Sequence, residues 1–213
     1  MISKYLRIIT GFSEKGYCKL DRERILSKSN ELDANFPEPM IEFYEFFGNN
    51  EEVLNAYYEF ENIENIIIQN SGLVFGHTHQ HVNLLGIKLE ELSNKDPKIN
   101  RFEKELNHWY AESVFSSSFF TNIACWQVLN TMPSIAKIKI SEKELFKKVD
   151  GKLYPISEEK IIFKGYDLYS YFNVELGILA CYLRQLEEFY IASKNDEIIE
   201  KFESDMNWDL NWL

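Results

Sequence analysis

From Pro39 to Gly48 the apolar positions Met40, Phe43, Tyr44 and Phe47 recur at i, i+3, i+4 and i+7, and Glu42 and Glu45 fall between them. This spacing predicts a helix that buries an aromatic stripe and turns its carboxylates to water. Pro39 just inside the start and Gly48 just past the end are the expected punctuation. The preceding stretch, DRERILSKSNEL from Asp21 to Leu32, reads as a helix with Asp21 as its N-cap. Later, SSSFFTNIACWQVL places Phe119, Ile123 and Trp126 at helical spacing behind Ser116, the expected cap. SEKE at Ser141 to Glu144 matches a capping box, and NDEIIEKFESDM predicts the last helix.

The pattern changes to strand-like between Tyr57 and Phe75, through IENIIIQNSGLVF, and again at VNLLGI from Val82. The polar insert HTHQH between these runs predicts a hairpin connection. Next, LEELSNKDPKINRF predicts a short helix ended near Pro97, followed by HWYAESVF as a strand. A turn is expected at Asp150-Gly151, and KIIFKGYDLYSYF, GILACYLRQ and EFYIAS read as strands. Irregular alternation with hairpin-like pairs favours an α+β fold, a mostly antiparallel sheet with helices packed around it. No repeat and no Pro/Gly/Ser-rich linker divides the 213 residues, so a single domain over 1–213 is expected.

With 45% apolar and 15% aromatic residues, the chain has ample material for a core. No window approaches the roughly 18 uncharged apolar residues of a membrane span. Lys4, Arg7, Glu14 and Lys15 interrupt the N-terminal apolar residues, so no signal peptide is expected. Cys18, Cys125 and Cys181 form no CxxC pair, which argues against a disulfide framework or zinc ribbon. A cytoplasmic location is the expectation. The net charge of −11 is unevenly spread: Ser29 to Ile87 holds ten acids and no Lys or Arg, against 24 acids and 23 bases elsewhere. Such a field repels nucleic-acid phosphates and attracts a basic protein surface.

The candidate chemistry sits in FGHTHQHVNLLGI, which carries His77, His79 and His81. On a flat strand the outer two would stand about 13 Å apart, at about 3.3 Å per residue. Zinc needs nitrogens at about 2.0 to 2.1 Å in a tetrahedral set, so three rings reach one ion only across a bend. The cluster is therefore either a solvated turn or the core of a metal-dependent hydrolase. The HxHxDH pattern of the metallo-β-lactamase fold fails at its fifth position, where His81 stands. No GxGxxG, phosphate loop or GxSxG elbow is present, Cys125 beside Trp126 reads as a buried thiol, and no cofactor is expected.

Several segments in order resemble the SUKH superfamily of Smi/Knr type. They are NELDANFPEPMIEFYEFFG, SGLVFGHTHQHVNLLGI, LSNKDPKINR, WYAESVFSSSFFTNIACWQ and EFYIASKNDEIIEKFESDMNWDLNW, within residues 22 to 212, so that 1–21 is an N-terminal extension. Where the family hairpin carries an acidic or amide turn, this chain has Thr78-His79-Gln80, of which only the Gln matches. In bacteria the resemblance implies an immunity protein that neutralises a polymorphic toxin, frequently a nuclease. In fungi it implies a regulatory binding protein. Neither brings a catalytic set. The resulting expectation is a non-enzymatic binding protein whose acids Glu42, Glu45, Glu51 and Glu52 meet a basic toxin domain, with no nucleic acid and no membrane as partner. The alternatives are a regulatory scaffold and a hydrolase built on the histidine cluster.

Overall fold

Two antiparallel sheets enclose a layer of helices in the computed structural model, which describes residues 2–16, 18–78, 82–113, 115–157, 161–163 (of 162 and 163 the backbone alone) and 166–213. The helices are α1 (Ser3–Thr10), α2 (Arg22–Glu31), α3 (Glu38–Phe47), α4 (Glu51–Leu54), α5 (Ser116–Leu129), α6 (Glu142–Val149) and α7 (Asp196–Met206). The first sheet contains β1 (Glu59–Phe60), β2 (Ile67–Gln69), β3 (Gly72–His77), β4 (Asn83–Lys88), β5 (Ile99–Glu103) and β6 (His108–Ser113). Its order is β1-β3-β4-β5-β6, with β2 also on β3. The second contains β7 (Ser134–Lys139), β8 (Tyr154–Pro155), β9 (Ile161–Phe163), β10 (Tyr166–Asn173), β11 (Ile178–Leu183), β12 (Glu188–Ser193) and β13 (Asn211–Trp212). Its order is β13-β7-β12-β11-β10-β8, with β9 also on β10. The α+β class and antiparallel pairing agree with the sequence reading, and the strands divide between two sheets.

Three apolar clusters define the layers. The largest joins one face of the first sheet, through Leu73, Phe75, Leu85, Ile87 and Ile99, to α1, α3 and α5, and these to Leu168, Leu179 and Cys181 of the second sheet. Helix α5 lies at its centre, and Ser117 alone of its 14 residues escapes burial. That explains a sequence with no distinct polar face: a helix enclosed all round needs none, and its polar residues Thr121, Asn122 and Gln127 are themselves buried. The second cluster packs Tyr182, Phe189 and Ile191, from the opposite face of the second sheet, against Leu145 and Val149 of α6 and Ile199 and Phe202 of α7. The third consists of strand residues alone: Val74, Leu84 and Phe102, with Trp109 against them, on the outer face of the first sheet.

The predicted helix starts at Asp21, Ser141 and Asn195 hold, each side chain accepting from a first-turn backbone N–H. The start of α5 differs. Ser116 is already helical, and the Asp96 carboxylate serves as the cap from 20 residues away, accepting from Ser117 N (2.8 Å), Ser116 Oγ (2.6 Å) and Ser117 Oγ (2.5 Å). LEELSNKDPKINRF also departs from expectation: Leu89–Glu91 is one 3₁₀ turn and Ile99–Glu103 is a strand. Cross-strand pairing with β4 and β6 overrides the weak local helix preference. Several elements were not expected: α1, the short α4, β7, which pairs with β12, and the two-residue strands β8 and β13. Within the IENIIIQNSGLVF run, a two-residue turn with Asn70 (φ 51°) and Ser71 (φ 58°) splits β2 from β3.

Candidate functional site

The four acids expected to meet a partner do not share a surface. Glu42 is 2% exposed, which overturns its expected place on the wet side of α3. Its Oε2 accepts from the backbone N–H groups of Ile2 (2.6 Å) and Ser3 (3.0 Å), capping α1. A carboxylate at a helix N-terminus satisfies otherwise orphaned N–H groups and meets the positive end of the helix dipole. Glu42 therefore seals a helix–helix joint. Glu45 pairs with Arg22 at 2.9 Å and is largely covered. Glu51 and Glu52 are exposed, and Glu52 pairs with Lys15 at 2.8 Å.

The one-sided charge of Ser29 to Ile87 is likewise altered by folding. The bases just upstream fold back on it: Lys28 pairs with Glu31, Arg22 with Glu38 and Glu45, Arg24 with Glu64, and Lys15 with Glu52. The excess reappears at the other end of the chain. Residues 195–213 carry Asp196, Glu197, Glu200, Glu203, Asp205 and Asp209 against Lys201 alone, most of them exposed on α7 and its flank.

His77 ends β3, and its Nε2 lies 2.8 Å from Glu61 Oε1. The neighbouring backbone is fixed by the buried Tyr44 hydroxyl, which donates to the carbonyls of Glu61 (2.9 Å) and Phe75 (3.3 Å). Burial raises the Tyr44 pKa well above the ordinary phenol value, with the Glu61 charge adding to it, so the hydroxyl remains a donor. The β3–β4 pairing continues to His77 opposite Leu84, which agrees with the expected hairpin. His79 and His81 lie outside the described residues. Among the described residues no group of three His, Cys, Asp or Glu side chains is placed to hold a metal ion.

The most developed surface feature is one the sequence reading passed over. Trp109 of β6 lies across the outer face of the first sheet, where a Cβ on Gly72 would come within 2.3 Å of its ring and one on Gly86 within 2.9 Å. Glycines inside strands mark close approach, and here the approaching group is an indole. The ring packs on Phe102 (centroids 5.1 Å), and its Nε1–H donates to the Asn70 carbonyl at 2.8 Å. Beside it opens a shallow concavity of about 750 Å³, lined among others by Ser71, Lys88, Glu90 and His108. Ile67 and Leu106 stand exposed on this sheet and its β5–β6 turn. Gly72 and Gly86 within otherwise apolar strands, with a Trp downstream, were the available signal.

Glu112 lies at the bulge between β5 and β6, where Ile99 pairs with Ser113 and Asn100 with Ala111. Its side chain is buried, with Arg101 Nη1 at 3.0 Å from Oε1, while Oε2 has no hydrogen bond among the described residues. Burial pushes its pKa up to about 7; Arg101 opposes the rise and Glu103 adds to it. A second buried polar fixture is Gln127 of α5. It accepts from Tyr57 N and Tyr58 N and donates to the carbonyls of Val53 and Tyr58, tying the chain between α4 and β1 to the central helix.

Comparison with known proteins finds no matching family model, curated protein or solved structure. No helix among the described residues is long and apolar enough to cross a membrane. The described residues thus present an aromatic platform on a sheet face over which none of their helices packs, beside a concavity of mixed polarity.

Proposed function

We propose that this chain is a non-catalytic binding protein of bacterial immunity type, which neutralises a cognate protein toxin by covering it. One observation carries the reading: the outer face of the first sheet has an apolar cluster and a half-buried Trp109, with no helix packed over them among the described residues. Tryptophan is strongly enriched among the residues that dominate interface energetics. Further support comes from the SUKH-like segments, which fall on α3, the β3–β4 hairpin, the Asp96-capped start of α5 and the β12–α7 ending. The net charge of −11 speeds encounter with a basic toxin, and Glu45, Glu51 and Glu52 belong to this steering charge. Glu42, committed to α1, takes no part.

The test is co-expression with the product of the neighbouring reading frame, scored for rescue of growth. Immunity predicts toxicity of the neighbour alone, rescue by this chain, and loss of rescue in Trp109→Glu at an unchanged level of folded protein. A neighbour without toxicity, or rescue that survives Trp109→Glu, overturns the proposal.

A further inference from the structure

A separate cavity of about 350 Å³ opens between the end of α1, the β10–β11 turn and the segment entering α7. Its walls are apolar, with Ile8 and Phe12 on one side and Val174 and Ile198 on the other, and Arg7 and Lys194 stand at its edge. The size lies at the small end of the range for sites that enclose a small molecule, about 300 to 1,000 Å³.

Arg7 is unusual for this chain. Of its five arginines, Arg22, Arg24, Arg101 and Arg184 all engage carboxylates. Arg7 is the exception among the described residues, and Lys194 also makes no ion pair there. Both are exposed, in a protein with 34 acids to 23 bases. An apolar wall beside two uncommitted cations is complementary to an anion carrying an apolar tail.

The turn that forms one wall is held firmly. Asn173 accepts from Leu176 N (2.9 Å) and donates to the Lys152 carbonyl (2.6 Å). Gly177 has φ +70°, and a Cβ there would come within 3.3 Å of Ile198 Cδ1. This framework holds Val174 at 61% exposure, in a tight turn where polar residues and glycine are the usual occupants. On the far side of Ile198 a smaller cavity of about 240 Å³ is lined by Glu175 and Asp205 against Lys201, a net negative edge that disfavours an anionic head relative to the side of Arg7 and Lys194.

We propose that this cavity binds a small soluble amphiphile, its apolar chain against Ile8, Phe12, Val174 and Ile198 and its anionic head on Arg7 and Lys194. A guanidinium gives such a head two parallel hydrogen bonds, and apolar contact holds the tail.

Octanoate is a suitable probe, titrated into the whole chain and followed by methyl resonances of Ile8, Val174 and Ile198, with octyltrimethylammonium as the control of opposite charge. The expected result is saturable octanoate shifts at these methyls. The doubly reversed variant Arg7→Glu/Lys194→Glu should bind octanoate at least about tenfold more weakly, equivalent to about 1.4 kcal/mol. Its preference should turn toward the cationic probe. Val174→Asp, also at an exposed site, should weaken both probes. Vesicles of anionic phosphatidylglycerol should leave the chain in solution, which separates a free amphiphile from a membrane-displayed headgroup. Absence of saturable binding, equal affinity for the two probes, unchanged affinity in the double variant, or capture by vesicles without octanoate binding would overturn the proposal.

Discussion

The two sheets face the same helical layer on their inner sides and differ on their outer ones. Behind the second sheet the chain supplies its own cover: α6 and α7 bury Phe189 completely, with Trp208 at 5.5 Å and Tyr171 at 6.4 Å between ring centroids. Behind the first sheet the corresponding positions are Gly72, Gly86, Val74, Leu84 and Phe102, roofed by one indole. A sheet face with an apolar cluster is stable when covered. The difference shows which apolar positions hold the fold and where the proposed partner would find a sheet face without a helix among the described residues.

Truncation on the covered side should have the largest effect. Phe189→Ala is expected to destabilise the protein by about 3 to 5 kcal/mol, read from denaturant unfolding, because the cavity is enclosed on all sides. Glu42→Ala leaves two N–H groups of α1 unpaired at a buried joint and is expected to lose about 2 to 4 kcal/mol. If Glu42 were a partner-contact residue, the variant would unfold like wild type and bind less tightly.

Glu112 separates the uncovered sheet from its surroundings by pH. Its folded pKa is raised to about 7, so the folded state holds this proton more tightly than the unfolded chain does. Its contribution to stability is complete below the ordinary carboxylate range and is lost as pH rises toward 7, amounting to roughly 3 kcal/mol at most. Glu112→Gln should remove this component, so the stability difference between wild type and variant should slope with pH between about 4.5 and 7 and flatten above. The smallest effect is expected at the uncovered face itself. Trp109→Ala should lose no more than about 2 kcal/mol, since the ring is half exposed and covers only a small cluster.

The long periodic helices α3, α5 and α7 and the β3–β4 hairpin were legible because their signals are local: spacing, Asx caps, Pro and Gly at the ends. What escaped was set by residues distant in sequence. Nothing near Glu42 reveals that Ile2 and Ser3 will bring it two N–H groups from 39 and 40 positions away. Asp96 as the cap of α5 is the same case. The acidic run looked uncompensated because its partners, Arg22, Arg24 and Lys28 among them, precede it and meet it only through folding. Helix α1 was missed because Lys4 and Arg7 interrupt its apolar run, yet Leu6 and Ile9 are fully buried. Of the outer face of the first sheet, Trp109 was visible only as one more strand residue, since its place depends on Gly72 and Gly86 lying beneath it.

The most direct test of the account is the affinity of the purified chain for the toxin that the proposal assigns to it, the product of the neighbouring reading frame, compared between wild type, Trp109→Ala and a charge reversal of Glu200 and Asp205 on α7. The account predicts a loss of roughly 30-fold or more for Trp109→Ala, the 2 kcal/mol of an interface hot spot. The α7 variant should show a slower, salt-sensitive association and an unchanged dissociation rate. Wild-type affinity in a folded Trp109→Ala, with dissociation accelerated by the α7 reversal instead, would contradict it and move the interface to the acidic helix.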